Sequence, residues 1–311
     1  MKVEVDEDFA GKRIDKFLAG IERIGSRARA EKLIEAGLVT IDGRTAIKSN
    51  KVQVGFVIEV PDAELAEPPP RTFEGTSPVP VLFEDDDVLV VDKPAGLVVH
   101  PAPGHRAATL VELLAGGGVN LAENDDPVMF RPGVVHRLDK DTSGVMMLAK
   151  NHLAQRQLQL ALRERTAKRE YLALVHGTVP SRSGRIEAPI GRDVRDSSKR
   201  SIDTDFPQEA ITHFVVQELL PTTTLLRLKL ETGRTHQSRG HLEAIGHSVI
   251  ADPTYGHSPE FGLDRQFLHA AKLSFPHPRT GDPVEVASPL PEDLHVALGN
   301  ARRTEFDLRD D

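Results

Sequence analysis

The chain has 311 residues, no cysteine and a formal net charge of −8 at pH 7. Without cysteine it can form neither disulfides nor thiolate metal sites, which fits a reducing cytoplasm. It contains neither a basic start followed by an apolar run nor about 18 consecutive apolar residues, so we expect no export signal and no membrane partner. The length permits roughly two domains.

Basic residues are concentrated in two segments of this acidic chain. Residues 11–51 contain ten Lys or Arg against five Asp or Glu, and residues 150–200 contain twelve against five. The acidic residues cluster elsewhere, for example at 84–87. Phosphate binding depends on the local density of Lys and Arg as well as on total charge, so the sequence allows a nucleic-acid partner.

Residues 11–61 have the pattern of a self-contained unit. Ser26 is a candidate N-cap for a second helix that ends at Gly37. Asp42-Gly43 predicts a tight turn between strands, and the apolar pattern predicts a closing strand over 52–58. Basic side chains near the start of the second helix either bind phosphate, which a helix N-terminus favours, or form only a solvated face: Arg27, Arg29 and Lys32.

A Pro-rich acidic stretch divides this unit from the rest of the chain. Its composition predicts a stiff, extended linker over residues 62–78 and a second domain over residues 79–311. Within the second domain, Asn151 is a candidate N-cap for an amphipathic helix. Residues 181–209 are rich in Ser, Arg and Asp, which predicts a mobile loop.

The segment 136–144 has the pattern of a loop between two short strands. It places the carboxylate of Asp139 among the basic side chains of His136, Arg137 and Lys140. Function concentrates on loops held by rigid elements, so Asp139 is a candidate reactive group. A solvated charged turn with structural ion pairs is the alternative that this pattern leaves open.

This segment, H-R-L-D-K-D-T-S-G, resembles the signature of the pseudouridine synthases of the RluA/RluD type. Four further blocks of the family occur in its order: D-K-P-A-G-L at 92–97, R-E-Y at 169–171, T-G-R-T-H-Q at 232–237 and L-H-A at 268–270. Five such blocks in the family's order are hard to obtain by chance. Separately, residues 11–61 resemble the αL RNA-binding motif of many RNA-modifying enzymes.

The resemblance implies an α+β fold. The catalytic domain is expected to contain a mixed, mainly antiparallel β-sheet with flanking helices and loops. A small αL RNA-binding domain is expected to precede it over residues 1–61.

The resemblance also implies isomerisation of uridine to pseudouridine in RNA. Asp139 then becomes the catalytic carboxylate, Arg239 its ionic partner, and Tyr171 the ring that stacks on uracil or accepts a proton. The sequence departs from the family pattern at Ser238 and Gly240. A glycine inside a helix destabilises the helix by about 1 kcal/mol relative to alanine, which predicts looser anchoring of Arg239. Polar residues of the motifs are assigned to substrate binding: His136, Arg137, Thr235, His236 and Gln237.

Neither a cofactor nor a metal is expected, because this isomerisation oxidises nothing and donates no group. His236 and His241 lie five residues apart, whereas metal ligands on one helical face are four apart. A lone carboxylate can attack C1′, as in retaining glycosidases, or take a proton from C2′. The sequence leaves both routes open.

Within the family, the αL module and the string at 231–237 are most similar to RluD. This implies large-subunit (23S) ribosomal RNA around helix 69 as substrate, with ribosomal RNA or a pre-ribosomal particle as the partner of a monomeric, cytoplasmic enzyme. Three alternatives stay open. They are a different rRNA or tRNA site, an RNA glycosidase that uses a second carboxylate such as Asp141, and a non-catalytic RNA-binding protein that does not need Asp139.

Overall fold

The computed structural model describes residues 1–6, 9–21, 24, 27–61, 79–101, 107–123, 131–196 and 198–304, except the side chains of 27–29 and 32. The predicted linker and the predicted N-cap Ser26 lie outside the described residues. The described residues form two units, one from 1–61 and the other from 79–123 and 131–304. No helix in these ranges combines the length and the apolar character needed to cross a bilayer.

The N-terminal unit contains two helices and a four-stranded antiparallel sheet of strand order β1-β4-β2-β3. Asp42 and Gly43 have φ of 47° and 78°, the positive values that a type I′ hairpin turn requires, so the predicted tight turn is confirmed. The closing strand is shorter than predicted because the chain turns at 54–55. The elements are β1 Lys2–Glu4, α1 Ile14–Ala19, α2 Arg27–Glu35, β2 Thr40–Ile41, β3 Arg44–Thr45 and β4 Val57–Glu59.

The larger unit is built on a nine-stranded sheet. Its strand order is β5-β6-β7-β14-β8-β13-β12-β9, with β15 pairing with β14, and a separate two-stranded hairpin is formed by β10 and β11. The strands are β5 Val81–Glu84, β6 Val88–Lys93, β7 Ser143–Ala149, β8 Lys168–His176, β9 Ser183–Glu187, β10 Gly191–Arg192, β11 Arg200–Ser201, β12 Ile211–Leu219, β13 Thr223–Leu230, β14 Leu268–Pro276 and β15 Pro283–Ala287. The helices are α3 Leu110–Gly116, α4 His152–Arg163, α5 Gln237–Ala244 and α6 Glu292–Arg303.

The sheet is mixed at one place, where β7 and β14 pair in parallel at His269–Ser143 and Ala270–Gly144. The other strand pairs in the described part of the chain are antiparallel. A Cβ at Gly144 would lie 2.2 Å from the carbonyl oxygen of Ala270, so only glycine permits this close approach. The predicted α+β fold with a mixed, mainly antiparallel sheet is confirmed.

Strand β7 is buried at every residue because its alternate side chains enter two different cores. Met146 and Leu148 belong to a core that includes α3 and α6, and Val145 and Met147 belong to a core that includes α4. Asn151 caps α4 as predicted, since its side chain accepts a hydrogen bond from the backbone N–H of Ala154 at 2.9 Å. A rigid strand thus follows directly after the loop that carries Asp139.

The segment 181–209, predicted as a mobile loop, contains regular structure instead. Its first part is the edge strand β9, which pairs with β12 from Ser183 to Glu187. Its second part is the hairpin of β10 and β11. The loop prediction was wrong because the polar composition hid a short alternation, in which Ile186 is buried between the exposed Arg185 and Glu187.

Candidate active site

The loop that carries Asp139 is held in place by the core. Leu138 is buried in the core with 4% exposure. The backbone N–H of Thr142 donates to the carbonyl oxygen of Asp139 at 3.1 Å. The Asp139 side chain keeps 17% exposure, which leaves it accessible to a ligand.

Arg239 joins Asp139 to a second carboxylate, Asp252. Its Nη1 donates to Asp139 Oδ2 at 3.1 Å, while its Nε and Nη2 donate to the two carboxylate oxygens of Asp252 at 2.6 and 2.7 Å. Arg239 is 4% exposed and Asp252 is fully buried. Burial alone would lower the pKa of Arg239, but its bonds to Asp252 and the charge of Asp139 raise it. The guanidinium is therefore always charged, and it fixes the orientation of the Asp139 carboxylate.

Asp252 also organises the turn that follows it. Its Oδ1 accepts hydrogen bonds from the backbone N–H groups of Thr254 and Tyr255 at 2.9 and 3.1 Å. The guanidinium carbon of Arg239 lies 5.1 Å from the centre of the Tyr255 ring, within cation–π range. Burial raises the pKa of Tyr255 to about 12, so its hydroxyl stays protonated, and it donates to the carbonyl oxygen of Arg200 at 2.9 Å. The Arg239 side chain is thus enclosed on several sides by fixed groups.

Gly240 provides space for the hairpin of β10 and β11. A Cβ at this position would lie 2.7 Å from the carbonyl oxygen of Arg200 and 2.9 Å from Cδ1 of Ile190. Glycine therefore lets β11 pack directly against α5. The preceding residue, Arg239, makes three hydrogen bonds to two carboxylates despite the glycine beside it.

A cavity opens beside Asp139, and Tyr171 lines it. Tyr171 lies on β8 and is 5% exposed. Burial raises the pKa of its hydroxyl, which is therefore protonated at neutral pH. Among the described residues that line the cavity, Asp139 is the only acid. An aromatic ring and one carboxylate fixed by a guanidinium thus share a space that is open to solvent.

Four of the five predicted substrate-binding residues line this cavity, namely Arg137, Thr235, His236 and Gln237. The fifth, His136, lines an adjoining groove instead. His236 immediately precedes α5 with a φ of 55°, and its Nδ1 lies 3.2 Å from the hydroxyl of Tyr255. The contact of these residues with substrate stays a prediction.

The amide of Gln237 is fully engaged within the protein. Its Oε1 accepts from Thr232 Oγ1 at 2.8 Å and from the backbone N–H of Arg234 at 3.0 Å. Its Nε2 donates to the carbonyl oxygen of Ile211 at 3.0 Å and to Thr212 Oγ1 at 3.1 Å. These bonds tie the start of α5 to β12, so this side chain positions the helix that carries the active-site arginine.

Two buried basic side chains that were not predicted as site residues hold the end of the Asp139 loop. Lys93 is fully buried, and its Nζ donates to two carbonyl oxygens of the turn 94–97 at 2.8 and 2.9 Å and to that of Lys140 at 2.9 Å. Burial lowers the pKa of Lys93 to about 7. Arg265 donates through Nη1 to the carbonyl oxygen of Asp141 at 3.0 Å. The D-K-P-A-G-L block was visible in the sequence, but its turn chemistry gave no sign of these contacts.

The predicted RNA-binding residues belong to α2, the nine-residue helix Arg27–Glu35 of the N-terminal unit. The side chains of Arg27, Arg29 and Lys32 lie outside the described residues. Their contact with phosphate stays a prediction.

Comparison with known families and proteins agrees with this geometry. Residues 87–244 match the RNA pseudouridylate synthase family, and residues 12–58 match the S4 domain. The RNA pseudouridine synthase YlyB of Bacillus subtilis is 42% identical, over 97% of this chain and 98% of that protein. The ribosomal large subunit pseudouridine synthase D of Xanthomonas campestris is 40% identical, over 96% of this chain and 91% of that protein.

A solved structure shares the fold of a large part of the chain. The human RNA pseudouridylate synthase domain containing 1 superposes with a TM-score of 0.55 at 27% identity, covering 70% of this chain and 85% of the human one. The predicted RluA/RluD-type resemblance and the N-terminal RNA-binding module are confirmed by these matches. The chain belongs to the RNA pseudouridylate synthase family and is an RNA pseudouridine synthase that carries an N-terminal S4 domain.

Proposed function

We propose that Asp139 is the catalytic carboxylate of this enzyme. The observation that carries the proposal is the fixed pair of Asp139 and Arg239, at 3.1 Å, on a cavity also lined by Tyr171. The buried Arg239 keeps its position because Asp252 holds it from the other side. A carboxylate oriented in this way is ready to act on a ribose without moving first.

The reaction breaks the bond between C1′ and N1 of uracil and forms a bond between C1′ and C5. The proton on C5 leaves and N1 gains a proton, so atoms and charge balance without a redox partner. Asp139 attacks C1′ or takes the C2′ proton, two routes that the same position allows. Tyr171 stacks on the detached uracil, or its phenol gives its own proton to N1 of the released base and takes the C5 proton in return. Because nothing is oxidised and no group is donated, the proposed chemistry demands neither a cofactor nor a metal.

The composition of the cavity favours base transfer over hydrolysis. An RNA glycosidase needs a second carboxylate to activate water. Asp141 is not among the described residues that line the cavity, and Asp252 is fully buried with both oxygens bonded to Arg239. A non-catalytic RNA-binding protein would not need this buried arrangement of charges.

The substrate we propose is a uridine of large-subunit (23S) ribosomal RNA around helix 69. Support comes from relatives named ribosomal large subunit pseudouridine synthase D, which are 35–40% identical over most of the chain. In this proposal a monomer acts in the cytoplasm on rRNA or a pre-ribosomal particle. Residues 1–61 bind RNA, 62–78 serve as a linker, and 79–311 carry the reaction.

Pseudouridine mapping of total RNA from cells that lack the gene tests the target. We expect loss of pseudouridine at helix 69 alone, and its return when the wild-type gene is restored. An unchanged map at helix 69, or loss at a tRNA site, would remove this target.

Complementation with Asp139→Asn tests the catalytic assignment. The isosteric amide cannot act as nucleophile or base, so we expect RNA binding to survive while pseudouridine formation disappears. The purified variant should bind a transcript of the helix 69 stem-loop with the wild-type Kd in a filter assay. Product formation by this variant would refute the role of Asp139.

A further inference from the structure

A groove adjoins the active-site cavity, and its lining is strongly basic. The two spaces share Arg137, Arg169 and Arg234 in their walls. Arg163 and Arg165 also line the groove. An RNA strand that leaves the cavity would therefore enter the groove along a row of guanidinium groups.

Arg169 stands out among these arginines because it is buried and has no hydrogen-bonding or ionic partner among the described residues. It is 8% exposed, and its Nε is fully buried without a hydrogen bond in the described part of the chain. It lies on β8 two residues before Tyr171, so both side chains are on the same face of the strand. An uncompensated buried charge is costly, and buried cations in folded proteins normally have an anionic partner. This one has none from the described protein.

His136 contributes a second buried donor to the same groove. The backbone N–H of Met147 donates to His136 Nε2 at 3.2 Å, so Nε2 is unprotonated and the ring proton sits on Nδ1. That Nδ1 is buried and has no partner in the described residues. Burial, with the nearby charge of Arg169, lowers the pKa of His136 to about 3, which keeps the ring neutral. Two buried donors therefore lack acceptors at one place.

The acids around the groove do not supply these acceptors. Glu231 and Glu209 are both bonded to Arg165. Glu170, the neighbour of Arg169 in sequence, pairs with Arg227 at 3.2 Å and with Lys229 on the adjacent strand. The ligand that completes this site must therefore bring oxygens that accept hydrogen bonds and carry negative charge.

We propose that Arg169, together with His136, binds a backbone phosphate of the substrate RNA directly beside the uridine that occupies the Asp139 cavity. This inference rests on the proposed function only in placing the reacting uridine next to Asp139 and Tyr171. A bound phosphate would explain why this arginine is buried without a carboxylate partner among the described residues. It also directs the RNA backbone from the cavity into the arginine-lined groove.

The test measures RNA binding by full-length protein as a function of salt. The probe is a transcript of the helix 69 stem-loop, and all proteins carry Asp139→Asn so that the RNA is not converted. We expect Arg169→Gln to raise Kd about tenfold and to reduce the slope of log K against log salt by about 0.7–0.9, the value for one lost phosphate contact. Arg169→Lys, which keeps the charge, should recover most of the slope. The matched control is Arg227→Gln, an arginine of the adjacent strand β13 that pairs with Glu170, and it should leave Kd and slope unchanged.

A second measurement identifies the phosphate. Single neutral methylphosphonates are placed on either side of the target uridine in a synthetic stem-loop. We expect one of them to weaken binding by the Arg169 protein about tenfold and to have no effect on the Arg169→Gln protein, because the contact is already lost. A free anion in the groove would make no such distinction between neighbouring phosphates.

The proposal is refuted if Arg169→Gln keeps the parental Kd and salt slope, or if the methylphosphonates weaken both proteins equally. The melting temperature distinguishes an arginine that binds RNA from one that stabilises the fold. Arg169→Met removes an unpaired buried charge and should melt at or above the parental temperature, whereas a structural arginine would melt lower when replaced. Failure of helix 69 as target would appear separately, as absence of pseudouridine in the transcript with the wild-type enzyme.

Discussion

Asp252 is the residue through which the orientation of the active-site arginine can be tested most directly. Asp252→Asn keeps the shape of the side chain and an oxygen that accepts from the N–H groups of Thr254 and Tyr255. It removes the negative charge and one of the two Asp252 oxygens that accept hydrogen bonds from the Arg239 guanidinium. The turn is thus retained while the buried ion pair is lost.

The expected magnitudes follow from the burial of this pair. Removing one partner of a buried ion pair costs about 3–5 kcal/mol, and we expect about 3 kcal/mol because Asp139 still compensates part of the charge. For a unit of this size each kcal/mol lowers Tm by roughly 2–4 °C, which predicts a fall of roughly 6–12 °C. A displacement of about 1 Å at a reacting group costs about a hundredfold in rate, so we expect kcat to fall about a hundredfold.

The assay is single-turnover pseudouridine formation with excess enzyme, well below the lowered Tm, together with urea unfolding. Asp87→Asn is a matched control, because Asp87 is a buried aspartate that accepts two hydrogen bonds from Arg279, both at 2.6 Å, outside the active site. It should lower stability and leave the rate unchanged. A rate near wild type for Asp252→Asn, with only stability lost, would show that the position of Arg239 does not depend on Asp252.

The remaining predictions concern the same helix. Arg239→Lys should bind RNA normally and turn over at least tenfold more slowly in the single-turnover assay, because lysine cannot reproduce the bidentate contact with Asp252 that orients the group facing Asp139. A near-normal rate would assign the pairing to another cation. Gly240→Ala should destabilise by about 1–3 kcal/mol in urea unfolding, since its Cβ would lie 2.7 Å from the Arg200 carbonyl oxygen and 2.9 Å from Ile190 Cδ1. Unchanged or increased stability would mean that helix propensity outweighs this contact.

The fold class and six residues of the cavity lining could be predicted from the sequence, because local patterns place the loop of Asp139 and the family resemblance supplies the rest. The continuous apolar run at 145–148 predicts a buried strand, and the block at 136–139 lies directly before it, so the placement of Asp139 on a supported loop follows. Tyr171 and Arg239 came from the family resemblance, and both lie near Asp139 in the structure. Local chemistry also predicted the cap at Asn151.

The supporting contacts could not be predicted, because they join segments that no periodicity connects. Lys93 reaches the carbonyl oxygen of Lys140, 47 residues away, and Arg265 reaches that of Asp141, 124 residues away. From the sequence, Gly240 was expected to destabilise its helix, because the helix propensity of glycine is known from sequence. The strand β11 that packs against it is visible only in the structure. The lack of a partner for Arg169 among the described residues likewise depends on its surroundings and not on its motif.

The position of β14 between β7 and β8 has a consequence for synthesis of the protein. β7 and β8 are consecutive strands in the sequence, yet their facing edges are bridged by a strand that begins at Leu268. During translation both edges leave the ribosome with unpaired amides and carbonyls, and they stay so until almost a hundred further residues have been added. Until β14 is added, the facing edges of β7 and β8 therefore stay open to mispairing with each other or with another chain.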